Sequence, residues 1–515
     1  MTTAATDTAV TLPRDTNQAL GIGQFAVDFL RNGLGEPSAA VEQRTMQFFT
    51  DAVLCGISAI ALQTNAPLVL RREARRYATN GGATMFGDST SVAPEKAIVA
   101  NCAAVREWDS NGTNFGYNPA LGHTAGEFGH NDFYAVAVTA AQLEGLDGAA
   151  ALRGMICLDE IRGRLAEVFS LKSYKIDHVV HGAIASAAVY GAMRGATPEQ
   201  IESAIGMFVA HFIPWRAIRA GKQLSDSKGA SAAISTEAAI TAMHRSMDGF
   251  IGPKDIFRNP EAIWRQFEPT NGDAPFDLVL SHSGDDFAVM GMHFKLGLYE
   301  HQSAGALHGL ITLLVENPEI LGDTVEAIGI TAYEPAYGII GDPAKRDPKT
   351  RQSADHSMVY IVATMLRKAG QFAGDGAMPT DLDEAWKTLM LAPHDYGREA
   401  IVDAETRRLM DLISFQHGGK AYDDRYPDGI PTSLVITTAG GKSYDSGLVM
   451  YPAGHARNTE ADLQGILDSK WAMLGAIALA EAGPVVERYR AVNTLTADAL
   501  RSIDDYAILE GPAVD

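Results

Sequence analysis

The chain is expected to be mainly α, with a large all-helical domain followed by a smaller α+β domain. Three observations lead there. Apolar, Ala-rich segments recur at 41–62, 94–107, 133–145, 149–169, 180–194, 198–212 and 229–248. Each is longer than an ordinary strand, which points to buried helices. After about residue 283 the texture changes: 325–333 alternates as a strand does, and 433–438 and 443–450 flank Ala439-Gly440-Gly441-Lys442, a hairpin signal. From 460 to 510 the chain is again helical and rich in Ala and Leu. The expected division is a disordered tail over 1–16, a helical domain over 17–282, an α+β domain over 283–455, and C-terminal helices over 456–515 that return to the first domain.

Local signals support several elements. Pro94 and Glu95 follow a Ser/Thr-rich stretch, and Thr197-Pro198-Glu199-Gln200 has the form of a capping box with proline at the first helical position. Gly195 and Gly221 punctuate the helical part. Further helices are expected at 303–315, 353–368 and 380–391, between the strand regions. There is no internal repeat.

Composition narrows the function. A length of 515 residues favours two domains, and 46% apolar with 20% charged residues is ordinary for a soluble globular protein. The net charge of −21 argues against a nucleic-acid surface. No apolar run approaches a membrane span, and the first residues, MTTAATDTAVTLPRD, lack the basic and apolar regions of a secretory signal. Cys55, Cys102 and Cys157 form no CxxC pair and sit in apolar segments, so they are expected to be core residues rather than cluster ligands. A cytoplasmic protein is expected.

The stretch 108–132, WDSNGTNFGYNPALGHTAGEFGHND, carries Asp109, Thr113, His123, Glu127, His130 and Asp132 among five glycines. Long structured loops between core helices are usually functional, although Asp132 is also placed to cap the following helix. Other polar groups stand at helix starts. Lys175-Ile176-Asp177-His178-Val179-Val180-His181 precedes one helix, with Asp177 as a candidate cap and one histidine expected in the core. Arg216, Arg219, Lys222 and Lys228 precede another. Lys295 lies in His293-Phe294-Lys295, shortly before Tyr299-Glu300-His301-Gln302-Ser303, and a lysine between apolar residues is a candidate buried cation. RQSADHSMVY brings Arg351 and His356 to a third helix, and YPAGHAR follows the hairpin. No GxSxG, HExxH, Walker or dinucleotide motif is present. Histidines, lysines, arginines and aspartates without a metal or nucleotide signature suit proton abstraction beside a carboxylate and binding of a polycarboxylate.

These segments resemble the MmgE/PrpD superfamily, which includes 2-methylcitrate dehydratase, cis-aconitate decarboxylase and iminodisuccinate epimerase. The resemblance runs over roughly 17–460 and rests on Asp109…Thr113…Gly129-His130, IDHVVHGAIASAA, SKGASAA, HFKLG, RQSADHSMVYIVA and YPAGHAR; it looks most like the dehydratase branch. It departs at His130-Asn131, where many members have His-Pro, at the extra Gly122-His123, and at Gly112, where an acidic residue is usual. The resemblance implies a helical domain with the α+β part as a lid, a homodimer, no metal or other cofactor, and a site between the domains.

It also implies catalytic roles for Asp109, His130, His178 and Lys295, with substrate held by Thr113 and by Lys222 or Lys228; His301, Arg351 and His356, at their helix starts, are further candidates for binding substrate. The expected reaction is dehydration of 2-methylcitrate, or a close relative, to an aconitate. Decarboxylation of cis-aconitate or epimerisation of an imino diacid would use the same pocket. Two readings of other classes are a metal-dependent hydrolase using Asp109, His123, His130 and Asp132, and a catalytically inactive binding or scaffold protein.

Overall fold

The computed structural model describes residues 8–219 and 223–514. The fold is mainly α, and its centre is the helix Val179–Met193, every residue of which is buried. The sequence VVHGAIASAAVYGAM is apolar on all sides, so the helix must be covered on all sides. Gly148–Val168, Pro198–His211, Asp226–Met247 and Gln18–Arg31 pack around it. Small residues set how close these neighbours come: a Cβ on Gly182 would lie 2.0 Å from the Phe133 ring.

Helix ends follow their signals. Thr197 and Gln200 make the reciprocal capping box at Pro198–His211, and Pro94 opens Pro94–Glu107. Gly145, left-handed at φ 62°, closes Ala135–Glu144. Asp132 does not cap that helix; it accepts from Asn111 Nδ2 at 2.5 Å instead, because the helix starts two residues later, after Tyr134.

Among the described residues, the strands form four small sheets. The largest is mixed: Val325–Ala332 lies antiparallel to Thr432–Thr438 and parallel to Ile413–His417, with Ser443–Asp445 at the edge. The helices Ala304–Glu316, Met358–Asp375 and Leu382–Leu389 accompany it. Ala78–Met85 pairs with Asp88–Val92 over a small apolar cluster of its own.

One expectation is corrected at the N-terminus. Ala9–Leu12 is not part of a disordered tail but a strand paired with Leu278–Ser281. Leu12 is buried there, and the Gln18 amide ties the carbonyls of Leu12 and Phe276 together at 3.0 and 2.8 Å. Residues 1–7 lie outside the described part.

Buried apolar side chains from Leu12 to Val514 form one continuous cluster. The late helix Leu463–Ala478 packs on Ala39–Ala61, and Ala482–Arg490 packs beside it. Among the described residues, no single helix is long and apolar enough to cross a membrane.

Candidate active site

Five segments from distant parts of the chain meet at one cleft. Pro94–Glu107 carries Arg106 in its last turn and delivers Asp109 just beyond it. Thr113 and Asn114 pair with His130 and Gly129 as a two-residue ladder, which folds the 108–132 stretch back on itself. His178 is the N-cap residue of Val179–Met193, and Lys228 lies in the first turn of Asp226–Met247. Asp355 and His356 immediately precede Met358–Asp375. The fifth segment, 292–300, has no regular structure, and backbone bonds fix it. His293 and Thr113 exchange N–H···O bonds of 2.7 and 3.0 Å, Tyr299 N donates to Asp109 O at 2.9 Å, and Phe294 N donates to Gly454 O at 2.8 Å. Gly454 has φ 87°, and a Cβ there would lie 2.4 Å from the Phe294 carbonyl, so glycine is required for that approach.

Asp109 is the hub. Its carboxylate contacts the Lys295 ammonium, Arg106 at 3.3 Å, Lys228 at 3.4 Å and His356 Nε2 at 3.0 Å. Burial works against its ionisation, but Arg106, Lys295 and Lys228 overcome that and hold the carboxyl well below the usual range. Lys228 also reaches Asp355 at 3.4 Å, and His356 Nδ1 lies 2.7 Å from Asp355. Burial depresses both Lys228 and Lys295, with the neighbouring carboxylates opposing it.

His130 and His178 stand beside this network with ring centroids 5.1 Å apart. Arginine has only donors, so Nε2 is the acceptor in both rings: from Arg106 at 3.5 Å in His130 and from Arg219 at 3.3 Å in His178. That leaves the proton of each neutral ring on Nδ1. Burial, then Arg106, pushes His130 well below the ordinary histidine range. Burial does the same to His178, with Asp177 opposing and Arg219 adding.

Arg106, Asp109, His130, His178, Lys228 and His356 line one cleft of about 620 Å³, open mouth included, with Arg216, Arg219, Glu300 and Lys345 as further charged groups and Phe115, Phe128, Ile339 and Ile340 as apolar wall. Glu300 is pushed up to about 7 by burial and by the nearby Asp109 charge.

Of the residues singled out from sequence, Asp109, Thr113, His130, His178, Lys228 and His356 line the cleft, and Lys295 meets it through Asp109. The Thr113 hydroxyl donates to Gly129 O at 2.9 Å. Lys222 lies outside the described residues. His301 sits behind the wall, its ring 5.5 Å from Phe115 and stacked 5.1 Å from His293, rather than facing the cleft. Arg351 does not line the cleft either: its guanidinium binds the carboxylate and carbonyl of Glu107 and covers Trp108, so it is not a free clamp for substrate.

The metal set expected for a hydrolase does not assemble. His123 Nδ1 pairs with Glu167 at 3.0 Å, and Asp132 is held by Asn111. Asp109, Asp355 and His356 do bring one ligand atom each within 4.8 Å of one another. Lys228 contacts both carboxylates and Lys295 contacts Asp109, so a divalent ion there would sit against two ammonium groups.

The reading from sequence missed Arg106 and Lys345. Arg106 had a signal, since a lone arginine in the last turn of an apolar helix needs a buried partner. Lys345 had none, because GDPAKRDPKT has the composition of any solvated loop.

Behind the cleft lies a support that no motif announced. Lys470, fully buried in Leu463–Ala478, uses its three donors on Asp51, on Ser110 O at 2.7 Å and on Lys295 O at 2.8 Å. It therefore joins the backbone next to Asp109 to the backbone of Lys295.

Residues 26–273 match the MmgE/PrpD N-terminal domain. The chain is similar to 2-methylcitrate dehydratase of Escherichia coli O157:H7, 23% identical over 322 residues and 62% of each chain. That match spans less than two thirds of the E. coli enzyme. It is also similar to mitochondrial 2-methylcitrate dehydratase of Yarrowia lipolytica, 25% identical over 454 residues, 86% of this chain and 82% of the relative. The probable 2-methylcitrate dehydratase of Saccharomyces cerevisiae is 22% identical over 429 residues, 79% of this chain and 76% of the relative.

Proposed function

From a chain that belongs to the MmgE/PrpD superfamily, we propose a cofactor-free lyase that dehydrates a small tricarboxylate, 2-methylcitrate or a close relative, to an aconitate. One observation carries this reading: two buried, neutral imidazoles share a cleft with a set of fixed cations. Dehydration needs a base for the proton on the carbon next to a carboxylate and an acid for the departing hydroxyl. The C–H electrons form the double bond, and water leaves.

His130 suits the base. Burial keeps it unprotonated at neutral pH, and its acceptor Nε2 holds only a long contact to Arg106, which a substrate proton can displace. Asp109 is the weaker choice, because three cations stabilise its charge. Its role in this reading is to hold Lys228 where that ammonium faces the charge that builds up on the substrate carboxylate, with Lys295 fixing Asp109 from behind. His178, with its proton on Nδ1, or Lys228 then supplies the proton to the hydroxyl. Thr113 and His356 complete the substrate contacts. The same proposal includes a cytoplasmic homodimer and a lid formed by 283–455.

Purified, EDTA-treated protein assayed at 240 nm tests it. Absorbance is expected to rise with 2-methylcitrate or citrate as the aconitate forms. Loss of cis-aconitate absorbance with no turnover of the hydroxy acids would point to decarboxylation instead. No turnover of any of the three overturns the substrate assignment.

A further inference from the structure

The cleft holds cations that make no ion pair with its own carboxylates. Asp109 and Asp355 are shared among Arg106, Lys228, Lys295 and His356, and Arg219 is bound to Asp177. Arg216 and Lys345 line the same cleft. Among the described residues, no side-chain hydrogen bond or ion pair engages either one, and Arg216 Nη1 is buried without a partner. Both are depressed, chiefly by burial; Glu300 opposes this at Lys345, and Arg219 adds to it at Arg216 while Asp177 and Glu127 oppose it. Two cations without ion-pair partners in one partly dry cleft favour an added anion that both can reach.

The backbone at both positions is also held in advance. Arg216 N donates to Lys175 O at 2.8 Å, and Ile176 bridges to Trp215. Lys345 ends a turn capped by Asp342, and the next residue, Arg346, anchors it to Met410 O and Ile413 O at 3.0 and 2.7 Å. Binding therefore has to order two side chains but not the backbone that carries them.

We propose that Arg216 and Lys345 form a second carboxylate subsite, apart from the Asp109 network, which selects substrates carrying a further carboxylate. A planar guanidinium takes a carboxylate in two parallel bonds, and the ammonium adds a point charge. The inference rests on the polycarboxylate reading above but concerns binding, so it can be tested without turnover.

The probe is propane-1,2,3-tricarboxylate, which has no hydroxyl to lose, titrated calorimetrically beside glutarate into wild type, R216Q, K345M and R216K, with melting curves to establish folding. Wild type is expected to prefer the tricarboxylate. R216Q and K345M should each weaken tricarboxylate binding by about tenfold or more, the scale of a hydrogen bond to a charged group. The ratio of the two affinities should fall toward one, and R216K should retain part of it. Folded R216Q and K345M that bind the tricarboxylate as wild type does would overturn the subsite, as would a wild type that does not bind it. Arg216-dependent binding without turnover would sink the lyase reading and leave the subsite standing. Turnover with unaltered variants would do the reverse.

Discussion

A single carboxylate organises the cleft, and its substitution should be felt in both stability and chemistry. Asp109→Asn would leave Lys295, Lys228 and Arg106 buried around a neutral amide. Removing one partner from a buried ion cluster costs about 3–5 kcal/mol, so urea unfolding should show a loss of that order along with loss of turnover. A stable, inactive D109N would instead mean that the charge acts in catalysis and contributes nothing to the fold. Glu300 has the opposite sign. Its folded-state pKa of about 7 lies above the ordinary 4.5, so the folded chain holds the extra proton between those values. Stability falls as pH rises through that window. Glu300→Gln should therefore be more stable than wild type at pH 8 and no different at pH 4 by urea midpoint; an equal shift at both would contradict the assignment. Glu127, also raised to about 7 by burial, has the same sign, so the slope is reduced rather than abolished. These pairings could not be read in sequence, because Asp109, Lys228, Lys295 and His356 are far apart in the chain. What could be read was that Asp109, Lys228 and His356 stand at helix boundaries and that Lys295 lies between apolar residues, where an ionised group needs a partner.

At the level of elements, the helices were legible because burial and periodicity coincide. The centre of the fold, Val179–Met193, is apolar on every face and buried on every face. Short strands were not legible. Ala9–Leu12 has only four residues, and its partner Leu278–Ser281 lies more than two hundred positions away. Ala78–Met85 is mostly exposed and carries Gly81 and Gly82, so it has the look of a loop. The 108–132 stretch was legible as special but not as a ladder, since two-residue strands carry no alternation. The capping box offers a clean local test. Thr197→Ala removes an acceptor for Gln200 N at 3.3 Å and should cost about 1 kcal/mol, with kcat unchanged because Pro198–His211 supplies no cleft residue. A loss above about 3 kcal/mol would show that the cap carries tertiary contacts as well.

Across the whole molecule, the cleft depends on a residue that does not touch it. Lys470→Met should lower stability by about 3–5 kcal/mol by leaving Asp51 unpaired. It should also lower kcat more than it raises KM, because Ser110 O and Lys295 O lose their common donor and Asp109 and Lys295 lose registration. An unchanged kcat in folded K470M would separate the clamp from the chemistry. The position of this clamp also bears on how the protein is made. Asp109, His130, His178, Lys228, Lys295 and His356 are all synthesised before Lys470, and domains generally fold as units during synthesis. A nascent chain halted before residue 470 would carry each of those six cleft residues yet lack the donor that joins their two backbones. The ribosome therefore completes the site only when the helix Leu463–Ala478 emerges, so truncated products would be inactive whatever fraction of the cleft they contain.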